Sequence, residues 1–271
     1  MSDFGKLAAE AAERIGAAAI TAPTPLAGGA SRALYGFDAR LGDDVTELVL
    51  LVTKGTAPQE AEALRAAFAA GVPVAEPLWL TEDRNAIVMR RLVGEAIGPR
   101  ILRQDRFAAA REGLLAELAV ALAAIHSLPP AALPAAERRK GAAGAIDDIA
   151  TELWSYDDPH PALELGIRWL RRRLPAERPP AVVHGDFRLG NMLVDERGLV
   201  AVLDWELVHV GDPVEDLGWL CSRAWRYGQE DRPAAGLGSR EELLDAYREA
   251  GGAAVSLEEL RFWEGVAALR W

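Results

Sequence analysis

Apolar positions in the first 92 residues fall mostly in short strand-length runs, whereas further along the chain they recur at helical spacing. Residues 3–16 (DFGKLAAEAAERIG) predict an amphipathic helix, with Ser2 as N-cap and Gly16 as stop. In LAGGASRALYGFDARLGDD, glycines separate short β-compatible pieces. TELVLLVTKG (46–55) is an apolar run closed by Gly55, so a hairpin and a third strand are expected. Pro58 opens a helix, QEAEALRAAFAAG, that ends at Gly71. PLWLTEDRNAIVMRRLVG reads as two strands about the polar turn Glu82 to Asn85.

Beyond Gly94, Leu114, Leu118, Leu122 and Ile125 mark a long Ala-rich helix, and PALELGIRWLRRRLP (161–175) predicts another. AVVHGDF and NMLVDERGLVAVLDW then read as two short strand pairs around the turn Asp195 to Gly198. Helices resume at Asp212, Arg240 and Leu257. The expected architecture is α+β and bilobal: a small sheet-plus-helix lobe over residues 1–92, a crossing near 89–96, and a larger, mainly helical lobe over 93–271. The last helix reaches Trp271 without a capping Gly, a Pro or a polar tail, which reads as a chain cut short.

Charge and composition narrow the function classes. The formal net charge of −11 disfavours nucleic acid as a partner. One cysteine, Cys221, excludes an intrachain disulfide framework and a Cys-rich zinc module, and four histidines leave little for a His-based metal site. Asp3, Glu10 and Glu13 stand where a signal peptide needs a basic start and an apolar run. The uncharged stretch Leu118 to Ala136 is broken by His126, Pro129, Pro130 and Pro134, so no membrane span is expected. The reading is a cytoplasmic protein. The three lysines, Lys6, Lys54 and Lys140, are not followed by Ser or Thr in a Gly-rich run, and G-x-G-x-x-G does not occur. P-loop and Rossmann sites are therefore excluded.

The remaining chemistry lies in His184-Gly185-Asp186-Phe187-Arg188-Leu189-Gly190-Asn191, followed thirteen residues later by Asp204 in LDWE. Moving a γ-phosphoryl group needs a carboxylate to orient the attacking hydroxyl, hard oxygen ligands for Mg²⁺, and cations against the developing charge. Asp186, on a loop after an apolar strand, suits the first task. Asn191 and Asp204, flanking a hairpin, suit the second. His184 reads as a brace for the loop. Asp212 and Asp216 in GDPVEDL read as structural, Asp212 as a helix N-cap. Arg188 is either an exposed loop arginine or a group facing the γ-phosphate. The tryptophans, Trp205, Trp219 and Trp263 among them, read as core.

Over nearly its whole length the sequence resembles the aminoglycoside phosphotransferase and choline kinase superfamily, distant relatives of protein kinases. The strongest part is HGDFRLGNMLVDERGLVAVLDWELVHVGDPVEDLGWL. It is especially similar to the phosphotransferase domain fused to acyl-CoA dehydrogenases in animals and found alone in bacteria. The resemblance implies ATP and Mg²⁺ as cofactors and a small-molecule hydroxyl acceptor. It implies Asp186 as catalytic base and Asn191 and Asp204 as magnesium ligands. Gly28, Gly29 and Ser31 would lie on a loop over the ATP phosphates, Glu60 would be the acid of the first lobe's helix, and Met89 to Leu92 the hinge that meets adenine. One departure stands out: the family's strand cation would fall near Leu51, and leucine cannot replace it. Lys54 is three residues on and faces the other way in a regular strand, unless a bulge intervenes or the strand ends at Val52. An alternative reading is a nucleotide-binding pseudokinase.

Overall fold

The computed structural model describes residues 3–26, 33–53, 57–81, 86–133, 137–138 and 141–271. Helix α1 (Asp3–Arg14) leads into strands β1 (Ala19–Ile20), β2 (Thr24–Pro25), β3 (Ala33–Leu41) and β4 (Asp44–Val52). Helix α2 (Ala57–Ala69) and strands β5 (Pro77–Thr81) and β6 (Ala86–Arg90) follow. The strands form one antiparallel sheet in the order β1-β3-β4-β6-β5, with β2 also on β3. Because side chains alternate across a strand, β4 serves two layers. Leu48 and Leu50 pack with Phe37, Ala39 and Val88 against Ala8 and Ala11 of α1. Leu51 points the other way, with Ile87, toward Ala61 and Leu64 of α2. Full burial of Leu48 and Leu50 contributes about 1.5–3 kcal/mol each. Helix α2 ends as expected at Gly71, whose φ of +77° is left-handed.

The rest is mainly helical: α3 (Gly98–Arg103), α4 (Ala108–His126), β7 (Glu137–Arg138), α5 (Gly141–Leu153) and α6 (Pro161–Arg171). Strands β8 (Ala181–Val183), β9 (Met192–Val194), β10 (Leu199–Val202) and β11 (His209–Gly211) follow, then α7 (Val214–Leu220), α8 (Arg240–Glu249) and α9 (Leu257–Arg270). The architecture is the α+β, bilobal one expected from the sequence. Helix α4 is the central rod, with Leu114, Leu118, Leu122 and Ile125 all fully buried. Helices α8 and α9 each open on a capping box, Ser239 with Glu242 and Ser256 with Glu259. Helices α7 and α9 meet at Gly218, where a Cβ would lie 2.5 Å from that of Trp263. Only glycine lets the two helices approach so closely. One hydrophobic cluster runs from Leu51 and Leu64 through Leu118 to Trp263 and joins the sheet to the helices.

One strand pairing differs from the sequence reading. The hairpin of β9 and β10 forms around Asp195 to Gly198 as expected, but AVV of β8 does not pair beside it. Its antiparallel partner is β11, with β7 parallel on the other side. The buried Val182 and Val183 need a strand neighbour, and the return of residues 203–208 supplies one that local pattern cannot show. Among the described residues no helix is long and apolar enough to cross a membrane.

Candidate active site

The segment linking β8 to β9 carries Asp186, and its path is set by buried groups. Gly185 has φ +85°, and a Cβ there would lie 2.4 Å from the Leu207 carbonyl oxygen, so the loop turns where only glycine fits. His184 is fully buried. Its Nε2 lies 3.0 Å from the Leu203 carbonyl, and its Nδ1 accepts from the Asp186 amide at 3.3 Å. This pairing requires the neutral Nε2–H tautomer. Burial lowers the His184 pKa against the pull of Asp216, Asp186 and Asp204. His184 therefore braces the loop against the chain that leads into Asp204.

A second anchor comes from α7. The buried Asp216 carboxylate accepts from the amides of His184 at 2.7 Å and Gly185 at 2.9 Å, and pairs with His126 Nε2 at 3.2 Å. His126 Nδ1 in turn meets the Tyr247 hydroxyl at 2.7 Å. Burial works to raise the Asp216 pKa, but hydrogen bonding and charge from His126 and His184 overcome it and leave it lowered. Burial also pushes the Tyr247 hydroxyl up to about 12. The structural role read for Asp216 is thus visible as a tie to the loop backbone. Asp212 accepts from the Val214 amide at 2.9 Å, but the N-cap of α7 is Pro213, so Asp212 stands one residue ahead of the N-cap position read for it.

Asp186 sits at the mouth of this frame, its side chain 16% exposed. Trp219 Nε1 donates to its Oδ1 at 2.7 Å, and Asn191 Nδ2 to its Oδ2 at 2.6 Å. Arg188 Nε lies 3.0 and 3.1 Å from the two oxygens. The carboxylate is thereby aimed by three donors from the loop and α7. The sequence reading placed Trp219 in the core. It is buried, but its indole N–H also reaches Asp186, a contact across 33 residues that no local spacing reveals.

Asn191 closes a short 3₁₀ turn, Leu189–Asn191, and is buried. Its amide nitrogen is committed to the Asp186 carbonyl and carboxylate, which turns the amide oxygen the other way. The Leu203 amide donates to the Asn191 carbonyl at 2.8 Å, so the backbone just before Asp204 lies against Asn191. Asp204 itself has φ +65°, a strained conformation for a non-glycine residue. An amide oxygen and a carboxylate form a hard-oxygen donor pair, and Mg²⁺ typically takes only one or two protein carboxylates beside substrate phosphates and water. The set fits that ion. Among the described residues no group of three or more His, Cys, Asp or Glu side chains is placed to hold a metal.

On the sheet side, Glu60 lies in the first turn of α2 and is 2% exposed. Leu51 is 5% exposed in the core shared with α2, and β4 ends at Val52. Met89 is half-buried near the end of β6, where the chain leaves the sheet. Gly28, Gly29, Ser31 and Lys54 lie outside the described residues.

Comparisons with known proteins supply a family and a fold. The model of a family described as the phosphotransferase enzyme family matches residues 50–253. "Acyl-CoA dehydrogenase family member 11" of Pongo abelii is 28% identical over 224 residues, covering 76% of this chain and 29% of that protein, so the chain spans less than a third of that relative's length. The structure of an aminoglycoside 2'-phosphotransferase-IIIa in complex with GDP superposes with a TM-score of 0.68 at 13% identity, over 100% of this chain and 89% of that one. A thermostable mutant of aminoglycoside phosphotransferase APH(4)-Ia, in ternary complex with AMP-PNP and hygromycin B, gives 0.61 at 18% identity, over 100% and 90%. At such identities the structural likeness carries the fold.

Proposed function

The chain belongs to the phosphotransferase enzyme family, and from that premise we propose that it transfers the γ-phosphoryl group of ATP, with Mg²⁺, to a hydroxyl of a small molecule. The observation that carries this reading is the aimed Asp186 carboxylate, held by Trp219 and Asn191 on a loop that Asp216 and His184 anchor from below. In this reading Asp186 accepts the proton of the acceptor hydroxyl as its oxygen forms a bond to the γ-phosphorus. The bond from that phosphorus to the bridging oxygen breaks, and ADP leaves. Asn191 and Asp204 would hold the magnesium, which supplies charge neutralisation on the phosphates when bound. Residues 1–92 form the nucleotide lobe, with Gly28, Gly29 and Ser31 over the phosphates, Glu60 and Lys54 as the charged pair, and Met89 at the adenine. Residues 93–271 form the catalytic and acceptor lobe. The nucleotide complexes of the structural neighbours support a nucleoside triphosphate as donor.

The pseudokinase reading draws on the burial of Leu51, which removes the family's strand cation. Against it stands the complete set of Asp186, Asn191 and Asp204. The test common to both is a thermal melt. A ligand at about 100 times its Kd adds about 2.7 kcal/mol, which is roughly 5–10 °C for a chain of this size. MgATP should raise the melting temperature by that amount; no shift at millimolar MgATP would remove both readings.

A further inference from the structure

The Asp186 carboxylate does not face solvent alone. The Arg188 Nε edge lies on both of its oxygens at 3.0 and 3.1 Å, and its guanidinium stacks on Trp225 with its centre 4.6 Å from the ring. The other edge is turned toward Gly190 and Tyr227. A Cβ at Gly190 would lie 2.3 Å from Arg188 Nη1 and 3.1 Å from the Tyr227 hydroxyl, so the missing side chain makes the slot the guanidinium occupies. Arg188 also hydrogen-bonds Tyr227. With an aromatic face, a hydroxyl and a carboxylate around it, this side chain is 25% exposed, more than Asp186 itself. It is a braced cation at the rim of the site, and the sequence alone left it between a loop arginine and a phosphate-facing group.

We propose that Arg188 is a catalytic residue that contacts the transferred phosphoryl group, exchanging its hold on Asp186 for the γ-phosphoryl oxygens when the nucleoside triphosphate binds. The proposal rests on the phosphotransferase reading of Asp186. Reacting atoms in a near-attack arrangement lie about 3–3.5 Å apart, and a hydroxyl hydrogen-bonded to Asp186 lies about 2.7 Å from it. These lengths put the phosphorus within about 6 Å of the carboxylate, and the Arg188 guanidinium already stands 3.0 Å from that carboxylate. Phosphoryl transfer leaves charge on the equatorial oxygens that a cation must offset, and a planar guanidinium matches those oxygens with two parallel N–H groups. Of the donors on Asp186, Trp219 and Asn191 are buried and Arg188 is the more exposed, the one that an incoming phosphoryl group can reach. Its departure frees both carboxylate oxygens for the incoming hydroxyl, which couples unmasking of the base to arrival of the phosphoryl group.

The test compares MgAMP-PNP with MgADP by calorimetry on the full chain, for wild type, Arg188→Gln and Arg188→Lys, with a thermal melt for each. A γ-phosphoryl contact predicts that Arg188→Gln weakens MgAMP-PNP by about tenfold or more while MgADP stays within about twofold. Arg188→Lys, which keeps the charge and loses the fork, should recover part of the loss. Equal weakening of both nucleotides, or of neither, in a variant that melts as a folded protein would overturn the proposal and leave the phosphotransferase reading standing. Should Arg188→Gln fail to fold, a folded Arg188→Lys that discriminates between the two nucleotides as wild type does would overturn it as well. A wild type that binds neither nucleotide would overturn both.

Discussion

Replacing Asp216 by Asn removes a charge and turns one acceptor oxygen into a donor while keeping the shape of the side chain. In the wild type, the two oxygens serve the amides of His184 and Gly185 and the Nε2 of His126. An asparagine can serve only one of these amides well. A lost hydrogen bond to a charged acceptor costs about 1.5–3 kcal/mol, and a buried donor left unmatched about 1–3 kcal/mol. Taken together these set the expected loss at about 3–5 kcal/mol. At roughly 2–4 °C per kcal/mol for a chain of this size, the melting temperature should fall by about 6–20 °C at neutral pH. The pH dependence carries a sign. The Asp216 pKa is lowered from its ordinary value, so its stabilisation is present above the unfolded-state value of about 3.9 and is lost as pH falls through the lower folded one. The gap between variant and wild type should therefore be flat from about pH 8 to pH 6 and narrow only below about pH 4. Differential scanning calorimetry across that range is the assay. A variant melting within about 2 °C of wild type would refute the anchoring role, and a gap closing between about pH 8 and 6 would assign the effect to a histidine instead.

Gly185→Ala should lose about 2–4 kcal/mol, because a left-handed backbone costs about 1–2 kcal/mol for an L-residue and the new Cβ meets the Leu207 carbonyl; an unchanged urea midpoint would contradict the loop path. Lys54→Ala should weaken MgATP about tenfold or more if Lys54 supplies the missing cation, with Leu51→Arg adding little. A silent Lys54→Ala beside a tighter-binding Leu51→Arg, read by titration calorimetry, would favour the pseudokinase.

Much of this was legible in the sequence where the determinants are local. The spacing of Leu114, Leu118, Leu122 and Ile125 marked α4, and Gly71 marked the end of α2. His184, Asp186 and Asn191 fall within eight residues, so the geometry of one loop brings them together. Contacts made across long stretches were not legible. Trp219 reaches Asp186 across 33 residues, and Tyr247 reaches His126 across 121. Each reads locally as an ordinary core aromatic, since burial and hydrogen bonding place the same demand on residue type. The pairing of β8 with β11 was hidden for the same reason, because three-residue strands carry too little pattern to choose a partner. Leu51 shows the opposite case. Its departure from the family pattern was plain in the sequence, and the structure adds that it is committed to the core against α2.

The central claim, that Asp186 is the base of a phosphoryl transfer, is tested most directly by measuring MgATP binding and turnover on the same preparation of Asp186→Asn. The substitution removes the proton acceptor and keeps the side-chain shape, so MgATP affinity by calorimetry should stay close to wild type. Phosphate release from MgATP, with water standing in for the acceptor, should fall by roughly 10²–10⁴-fold, the range for losing a general base. Full turnover in Asp186→Asn would contradict the account.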